Sequence, residues 1–176
     1  KVILYTSATS SKADIDKMLP NIYFLSLPVD AVSPKVVLKM RGESQFTRVS
    51  ALLNRLKNWP SLPHVKIGTV VTQLNIEDQE NILNFLHRFG YITVWRLYQF
   101  SPYGIGGRHQ KEFIVTGDDF KAEVTKIKLL NKSLGSKIHI AERSREDMFG
   151  YCMIMDSGGS FWRYEECYVP LGVSVF

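Results

Sequence analysis

Four nearly continuous apolar runs alternate with amphipathic segments along the first hundred residues of the chain. Runs of this kind, without strict alternation of apolar and polar positions, are typical of strands covered on both faces, as in parallel sheets. The pattern therefore predicts four buried parallel strands, at Val2–Ser7, Ile22–Leu27, Val65–Val71 and Ile92–Phe100.

Each segment between the predicted strands carries helix signals. Residues 10–19 begin with two serines that can cap a helix, and they end before Pro20. Residues 43–59 place apolar side chains on one helical face and charges on the other. Residues 75–90 offer Asn75 as an N-cap, which predicts a third helix.

This alternation of strands and helices predicts a parallel α/β sheet whose strands are joined by right-handed crossovers. Four such strands are either half of a (βα) barrel or most of an open doubly wound sheet. Beyond residue 100 the pattern predicts a short strand and a helix at 112–134 and two strands joined by a turn at 153–164. We interpret 1–100 as the barrel core and 101–176 as the closing strand and helix, with a small C-terminal extension, of the same domain.

The composition of the chain indicates which kinds of ligand and partner it can bind. The chain has 176 residues, of which 45% are hydrophobic, and a formal net charge of +5, which favours anionic ligands. Its basic residues are spread out, so we do not expect a nucleic-acid surface, and no apolar run predicts a membrane helix. Neither the histidines nor Cys152 and Cys167 have metal-binding spacing, and two cysteines are typical of buried thiols in a cytoplasmic protein.

Small polar side chains follow the predicted strands at the points where the strands end. They are Thr6, Ser7, Ser26, Thr72, Gln73, Asn75, Gln99 and Ser101. Ligands of parallel α/β folds bind at the carboxyl ends of the strands. A rim of neutral donors and acceptors suits the binding of a polar cofactor better than it suits proton transfer. The alternative is that each residue only caps the helix that follows it.

Two of the predicted strands carry a cation, Lys66 in the third and Arg96 in the fourth. A charge inside a central strand is costly unless it is paired or faces a wet cavity. The two side chains therefore form salt bridges, extend their stems toward solvent, or point into a barrel lumen toward an anionic ligand. Arg41 follows a short predicted helix after the second strand, where a solvated arginine is the simplest interpretation.

Several stretches in a fixed order carry a resemblance to a known family. They are the strand ending in Ser26 with Arg41-Gly42 after it, "VKIGTVV" with Asn75 after it, "VWRLYQF", and the tail "MIMDSGGSFWRY" with "VPLGVSV". In order and spacing they resemble the radical S-adenosylmethionine (SAM) superfamily. The chain looks most like the viperin branch and, more distantly, the molybdenum-cofactor cyclases.

The resemblance implies a partial (βα)6 barrel that holds SAM at the carboxyl rim of its strands. In this family SAM chelates a [4Fe-4S] cluster, which reduces it and releases a 5′-deoxyadenosyl radical that abstracts hydrogen from a substrate. Ser26 and Arg41 match positions that contact the SAM carboxylate, and Val71 and Thr72 match the place of the adenine or ribose. We add the rim residues Asn75 and Gln99 to this cofactor-binding set.

The same resemblance bears on the substrate. Lys66 and Arg96 match basic lumen positions that hold a nucleotide triphosphate in viperin. Gly68 stands where viperin has a ribose-binding asparagine, so that contact is absent from this chain. The resemblance therefore implies an anionic small-molecule substrate and leaves its identity open.

The cluster-binding loop of the family, C-x3-C-x2-C, and its Gly-Gly-Glu segment do not occur in these 176 residues. We therefore expect the C-terminal portion of a radical SAM enzyme, starting at the third barrel strand, that neither holds the cluster nor catalyses a reaction by itself. Unpaired strand edges then predict a homodimer. The alternatives are a non-catalytic α/β module that binds an anion or assembles with a partner, and an unrelated α/β domain.

Overall fold

The computed structural model of the chain describes residues 2–9, 12–42, 44–102 and 110–148, together with three short strands between 153 and 174. Its main feature is a five-stranded sheet in the order β1-β2-β3-β4-β5, in which every neighbouring pair is parallel. The strands are β1 (Val2–Tyr5), β2 (Ile22–Pro28), β3 (His64–Val71), β4 (Ile92–Gln99) and β5 (His139–Arg143).

Strand order decides between the two predicted topologies. The strands of the described sheet follow one another in chain order, as in a (βα) barrel, whereas a doubly wound sheet reverses direction at a switch point. The predicted α/β partial barrel is therefore confirmed.

Six helices accompany the sheet in the described ranges. They are α1 (Lys12–Met18), α2 (Pro34–Arg41), α3 (Ser44–Leu56), α4 (Gln79–Leu86), α5 (Gln110–Phe113) and α6 (Gly117–Ser133). The short strand predicted near residue 112 is wrong, because α5 occupies that stretch. None of these helices is long and apolar enough to cross a membrane.

Beyond the main sheet lie β6 (Met153–Met155), β7 (Ser160–Tyr164) and β8 (Tyr168–Ser174), which form a three-stranded antiparallel sheet. Pairing of β6 with β7 confirms the two predicted strands. The turn predicted between them, at 157–159, lies outside the described residues, as do Cys152 and Cys167.

One face of the five-stranded sheet packs against the helices and forms the core. Its strand side chains include Leu27, Ile67, Val71 and Trp95, each no more than 1% exposed. They belong to one apolar cluster with residues of α3, α4 and α6, which include Leu53, Leu56, Ile82, Leu83, Phe120 and Ile127. Burial of these side chains is the main stabilising contribution to the fold.

The opposite face of the sheet, which we call the open face, carries the alternate residues of each strand, because successive side chains of a strand point to opposite faces. Register places its side chains in layers across the sheet: Tyr5, Ser26, Lys66, Val94 and His139; then Pro28, Gly68, Arg96 and Ala141; then Val70, Tyr98 and Arg143. Most of these residues are half-buried. The strands were expected to be covered on both faces. In the described sheet they are fully covered on the helical face, and the open face is only partly buried.

Candidate functional site

A cleft with a volume of about 1580 Å³ opens at the carboxyl ends of β1 to β4. Its walls come from the last residues of these strands, from the end of α2 and from α5. The polar and charged residues that line it are Thr6, Ser7, Ser26, Asp30, Lys39, Arg41, Thr72, Gln73, Gln99, Ser101, Lys111 and Glu112. Loops at this end of a parallel sheet are free to bind ligands because they do not close the core.

The cleft brings together half of the residues that the sequence singles out. Ser26, Arg41, Thr72 and Gln99 line it, and they come from β2, α2 and the ends of β3 and β4. The other four are placed elsewhere: Val71, Asn75, Lys66 and Arg96 are not among the lining residues.

Arg41 is held at the cleft by a buried carboxylate that the sequence analysis missed. The Arg41 Nε donates to Asp30 Oδ2 at 2.6 Å, and the Asp30 side chain is 1% exposed while that of Arg41 is 45% exposed. The other oxygen of Asp30 accepts from the backbone N–H of Val70 at 2.7 Å. This ion pair fixes the base of the guanidinium group and leaves its terminal nitrogens at the cleft, where they can bind a carboxylate. The solvated-arginine interpretation of Arg41 is therefore incomplete.

Thr72 and Asn75 form the turn that ends β3. The fully buried Asn75 side chain accepts from the N–H of Thr72 at 2.7 Å and donates to the carbonyl oxygens of Asp30 at 2.6 Å and Val70 at 2.8 Å. Asn75 holds the predicted N-cap position, at the start of the 3-10 turn Ile76–Asp78, but its side chain makes no capping hydrogen bond there. Asn75 therefore braces the wall of the cleft without lining it.

Val71 and Gln99 show how side-chain direction changes a residue's role. Val71 points into the core, and its neighbours Val70 and Thr72 line the cleft. Gln99 lines the cleft, but its amide nitrogen donates to the carbonyl oxygen of Val115 at 3.1 Å and its amide oxygen accepts from the N–H of Arg145 at 2.9 Å. Gln99 thus joins the end of β4 to the segments that flank α6 and β5.

Lys66 and Arg96 lie in adjacent layers of the open face. Lys66 is 6% exposed, its Nζ lies 3.2 Å from the Tyr98 hydroxyl oxygen, and it lies 5.0 Å from the centre of the Tyr5 ring. No salt bridge in the described part of the chain involves either cation. This argues against the salt-bridge alternative, and the burial of Lys66 argues against a solvent-directed stem.

Metal-ligating side chains do not cluster among the described residues. No cluster of three or more His, Cys, Asp or Glu side chains there could hold a metal ion. The residues that the structure describes therefore do not fit an iron–sulfur cluster.

Comparison with solved structures shows a shared fold. The fold superposes on a domain of the pyruvate-formate lyase-activating enzyme from Bacteroides vulgatus with a TM-score of 0.54, at 12% sequence identity, over 78% of each chain. At this identity the likeness shows a shared fold. No protein-family model matches the chain, and no curated protein matches it.

Proposed function

We propose that this chain is part of a radical SAM enzyme and that the cleft binds SAM. The observation that carries the proposal is the convergence of Ser26, Arg41 and Thr72 on one cleft at the carboxyl rim of a partial parallel barrel. The neighbour, a domain of an activating enzyme, supports the proposal through its fold. Placement in the viperin branch rests on the sequence resemblance alone.

The chemistry of the cleft fits SAM. The methionine part of SAM carries a carboxylate, which suits the guanidinium group of Arg41 and the hydroxyl group of Ser26. The adenine ring is flat and apolar on its faces, and the cleft wall includes Met40, Leu74 and Phe100. A ligand pocket for a small molecule usually has a volume of roughly 300–1000 Å³, so a cleft of about 1580 Å³ leaves room for a substrate beside the cofactor.

In the family that the sequence resembles, SAM and a [4Fe-4S] cluster together supply a radical that abstracts hydrogen from the substrate. The described residues offer no ligand set for that cluster. In the proposed enzyme this chain binds and orients SAM, the ligands of the cluster come from other residues, and the chain by itself is not catalytic.

The substrate in this proposal is an anionic small molecule. It binds on the open face, where Lys66 and Arg96 lie in successive layers beside the cleft. Lys66 has no carboxylate partner among the described residues. An anionic ligand stabilises a buried ammonium group of this kind, because the ligand replaces the solvation that burial removes.

Isothermal calorimetry of SAM binding tests the proposal. We expect Arg41→Ala to weaken binding at least about tenfold, because a charge-assisted hydrogen bond contributes about 1.5–3 kcal/mol. Ser26→Ala should weaken it less. Arg88→Ala is a matched control, because Arg88 is exposed and does not line the cleft. A wild-type chain that does not bind SAM, or an Arg41→Ala variant with unchanged affinity, would contradict the proposal.

A second candidate is a non-catalytic module that binds an anion or assembles with a partner. The observation that favours it is the group of cations Lys39, Arg41 and Lys111 at the cleft. This candidate predicts that simple polyphosphates bind the chain and that SAM does not. Calorimetry with both ligands separates the two candidates.

A further inference from the structure

Tyr98 stands between the buried ammonium group of Lys66 and the cleft. The Lys66 Nζ lies 3.2 Å from the Tyr98 hydroxyl oxygen. Tyr98 and Gly68 line the cleft, whereas Lys66 does not. The side chain of Tyr98 therefore lies between the Lys66 ammonium group and a ligand bound in the cleft.

The direction of this hydrogen bond is fixed by chemistry. An ammonium group can only donate, so the Tyr98 oxygen accepts from Lys66. The hydroxyl hydrogen of Tyr98 then remains to be donated, and no acceptor for it is found in the described part of the chain. Tyr98 thus offers the cleft a hydrogen-bond donor with a positive charge behind it.

A small residue at position 68 leaves room for the Tyr98 ring. A Cβ atom at residue 68 would lie 3.4 Å from Tyr98 Cε2, which is the near limit of ordinary van der Waals contact. A larger side chain at this position would push the ring away from β3. Gly68 and Ala141 also flank Arg96 in the register of the sheet, so neither neighbour of Arg96 in this layer has a side chain larger than a methyl group.

The charge of the open face selects the kind of ligand. Its described strand positions carry Lys66, Arg96 and Arg143 and no aspartate or glutamate. A group that accepts a hydrogen bond from Tyr98 and is attracted by these cations is an oxyanion, either a phosphate or a carboxylate.

We propose that Tyr98 is a specificity-determining residue that binds an oxyanion of the substrate, with Lys66 and Gly68 as its positioning residues. The inference rests on the proposed function, since it deepens the account of the anionic substrate. Tyr98 donates the hydrogen bond, Lys66 orients the hydroxyl group and adds charge, and Gly68 leaves room for the ring.

Calorimetry with pyrophosphate and, separately, malonate tests this subsite and distinguishes a phosphate from a carboxylate. We expect Tyr98→Phe to weaken binding of the preferred probe about tenfold, as for the loss of one hydrogen bond to a charged group. Lys66→Gln should weaken it by at least as much. Gly68→Val should also weaken binding of the probe, because it displaces the Tyr98 ring while the hydroxyl group is still present. If the Tyr98 hydroxyl group had only a structural role, Gly68→Val would leave probe binding unchanged.

Tyr91→Phe is the matched control, because the Tyr91 hydroxyl donates to the carbonyl oxygen of Leu53 and does not line the cleft. The proposal is overturned if the wild type binds neither probe, or if Tyr98→Phe binds the probe as the wild type does while its denaturation midpoint shows that it is folded.

SAM titrated into the same proteins reports on the proposed function separately. Oxyanion binding that depends on Tyr98, without SAM binding, would support the subsite and contradict the SAM assignment. SAM binding without oxyanion binding would support the SAM assignment and contradict the subsite.

Discussion

At the scale of single residues, two buried polar side chains hold the cleft wall in place. Asp30 accepts from Arg41 and from the N–H of Val70, and its own carbonyl oxygen accepts from Asn75. Buried polar groups of this kind are costly to leave without partners. The geometry at Arg41 therefore depends on Asn75, which does not line the cleft.

Replacement of this buried asparagine should destabilise the whole domain. Asn75→Ala leaves two carbonyl oxygens and the N–H of Thr72 without their partner, and we expect it to lower the free energy of unfolding by about 2–4 kcal/mol. Urea denaturation measures the change. Asn54→Ala is the control, since the exposed Asn54 amide bonds only the carbonyl oxygen of Ser50 within its own helix. Equal losses in the two variants would contradict this assignment of Asn75.

The sequence predicts which polar residues gather at the rim, but not which way each side chain points. Asn75 and Gln99 follow strands as expected, yet their polar atoms bond the backbone. The sequence alone can exclude Val71 from the cleft, because it lies an odd number of positions from Lys66 and so faces the other side of the strand. Asp30 and Tyr98 were missed because their roles depend on partners 40 and 32 residues away in the chain.

At the scale of elements, Asp78 joins the loop before α2 to the turn before α4. Its carboxylate accepts from the N–H groups of Val32 at 2.7 Å and Ser33 at 3.0 Å, from the Ser33 hydroxyl group and from Asn81 at 2.8 Å. Burial by itself would raise the pKa of Asp78. The hydrogen bonds outweigh this effect, and the pKa of Asp78 lies below its ordinary value of 3.8.

This lowered pKa predicts a loss of stability in acid. Because the folded state favours the ionised carboxylate, its contribution is complete above the unfolded-state pKa of 3.8 and is lost as the pH falls through the lower folded-state value. In Asp78→Asn the free energy of unfolding should be lower at neutral pH and should decrease less below about pH 4. Denaturant titrations at several pH values measure this slope.

Asp147 provides a comparison, because hydrogen bonds from the N–H and hydroxyl groups of Ser144 also lower its pKa. Asp147 is exposed, so Asp147→Asn should change the acid slope less than Asp78→Asn. An Asp78→Asn variant with the same acid slope as the wild type would rule out the assigned role of Asp78.

Strands with long apolar runs were predicted well from the sequence, whereas the short segment before α6 was not. The four predicted strands begin within one residue of their observed starts, because long apolar runs specify buried strands. Three consecutive apolar residues at 113–115 predict a strand in this segment. Only Val115 is buried, and the segment begins as the short helix α5.

At the scale of the whole molecule, the two edges of the sheet differ. The edge strand β1 carries no charge, and Val2 and Ile3 on it are 54% and 56% exposed. The other edge strand, β5, carries Glu142 and Arg143. Charged side chains on an edge strand oppose pairing with another chain, and an uncharged edge permits it.

We therefore expect the chain to self-associate through β1 as its concentration rises. Ile3→Lys should shift the light-scattering mass toward the monomer. Leu129→Lys is the control, because Leu129 is 65% exposed on α6, which leads into the opposite edge strand β5 and not into β1. A wild-type chain that remains monomeric at high concentration would argue against edge pairing.

The central claim, that SAM binds at the carboxyl rim of this partial barrel, is tested most directly by titrating SAM into the isotope-labelled chain and recording its backbone amide NMR signals. The account predicts the largest shifts at Thr6, at Ser26 and Leu27, at Thr72 to Leu74 and at Gln99 to Ser101. Shifts confined to the opposite ends of the strands, near His64, Ile92 and His139, or no shifts at all, would contradict it.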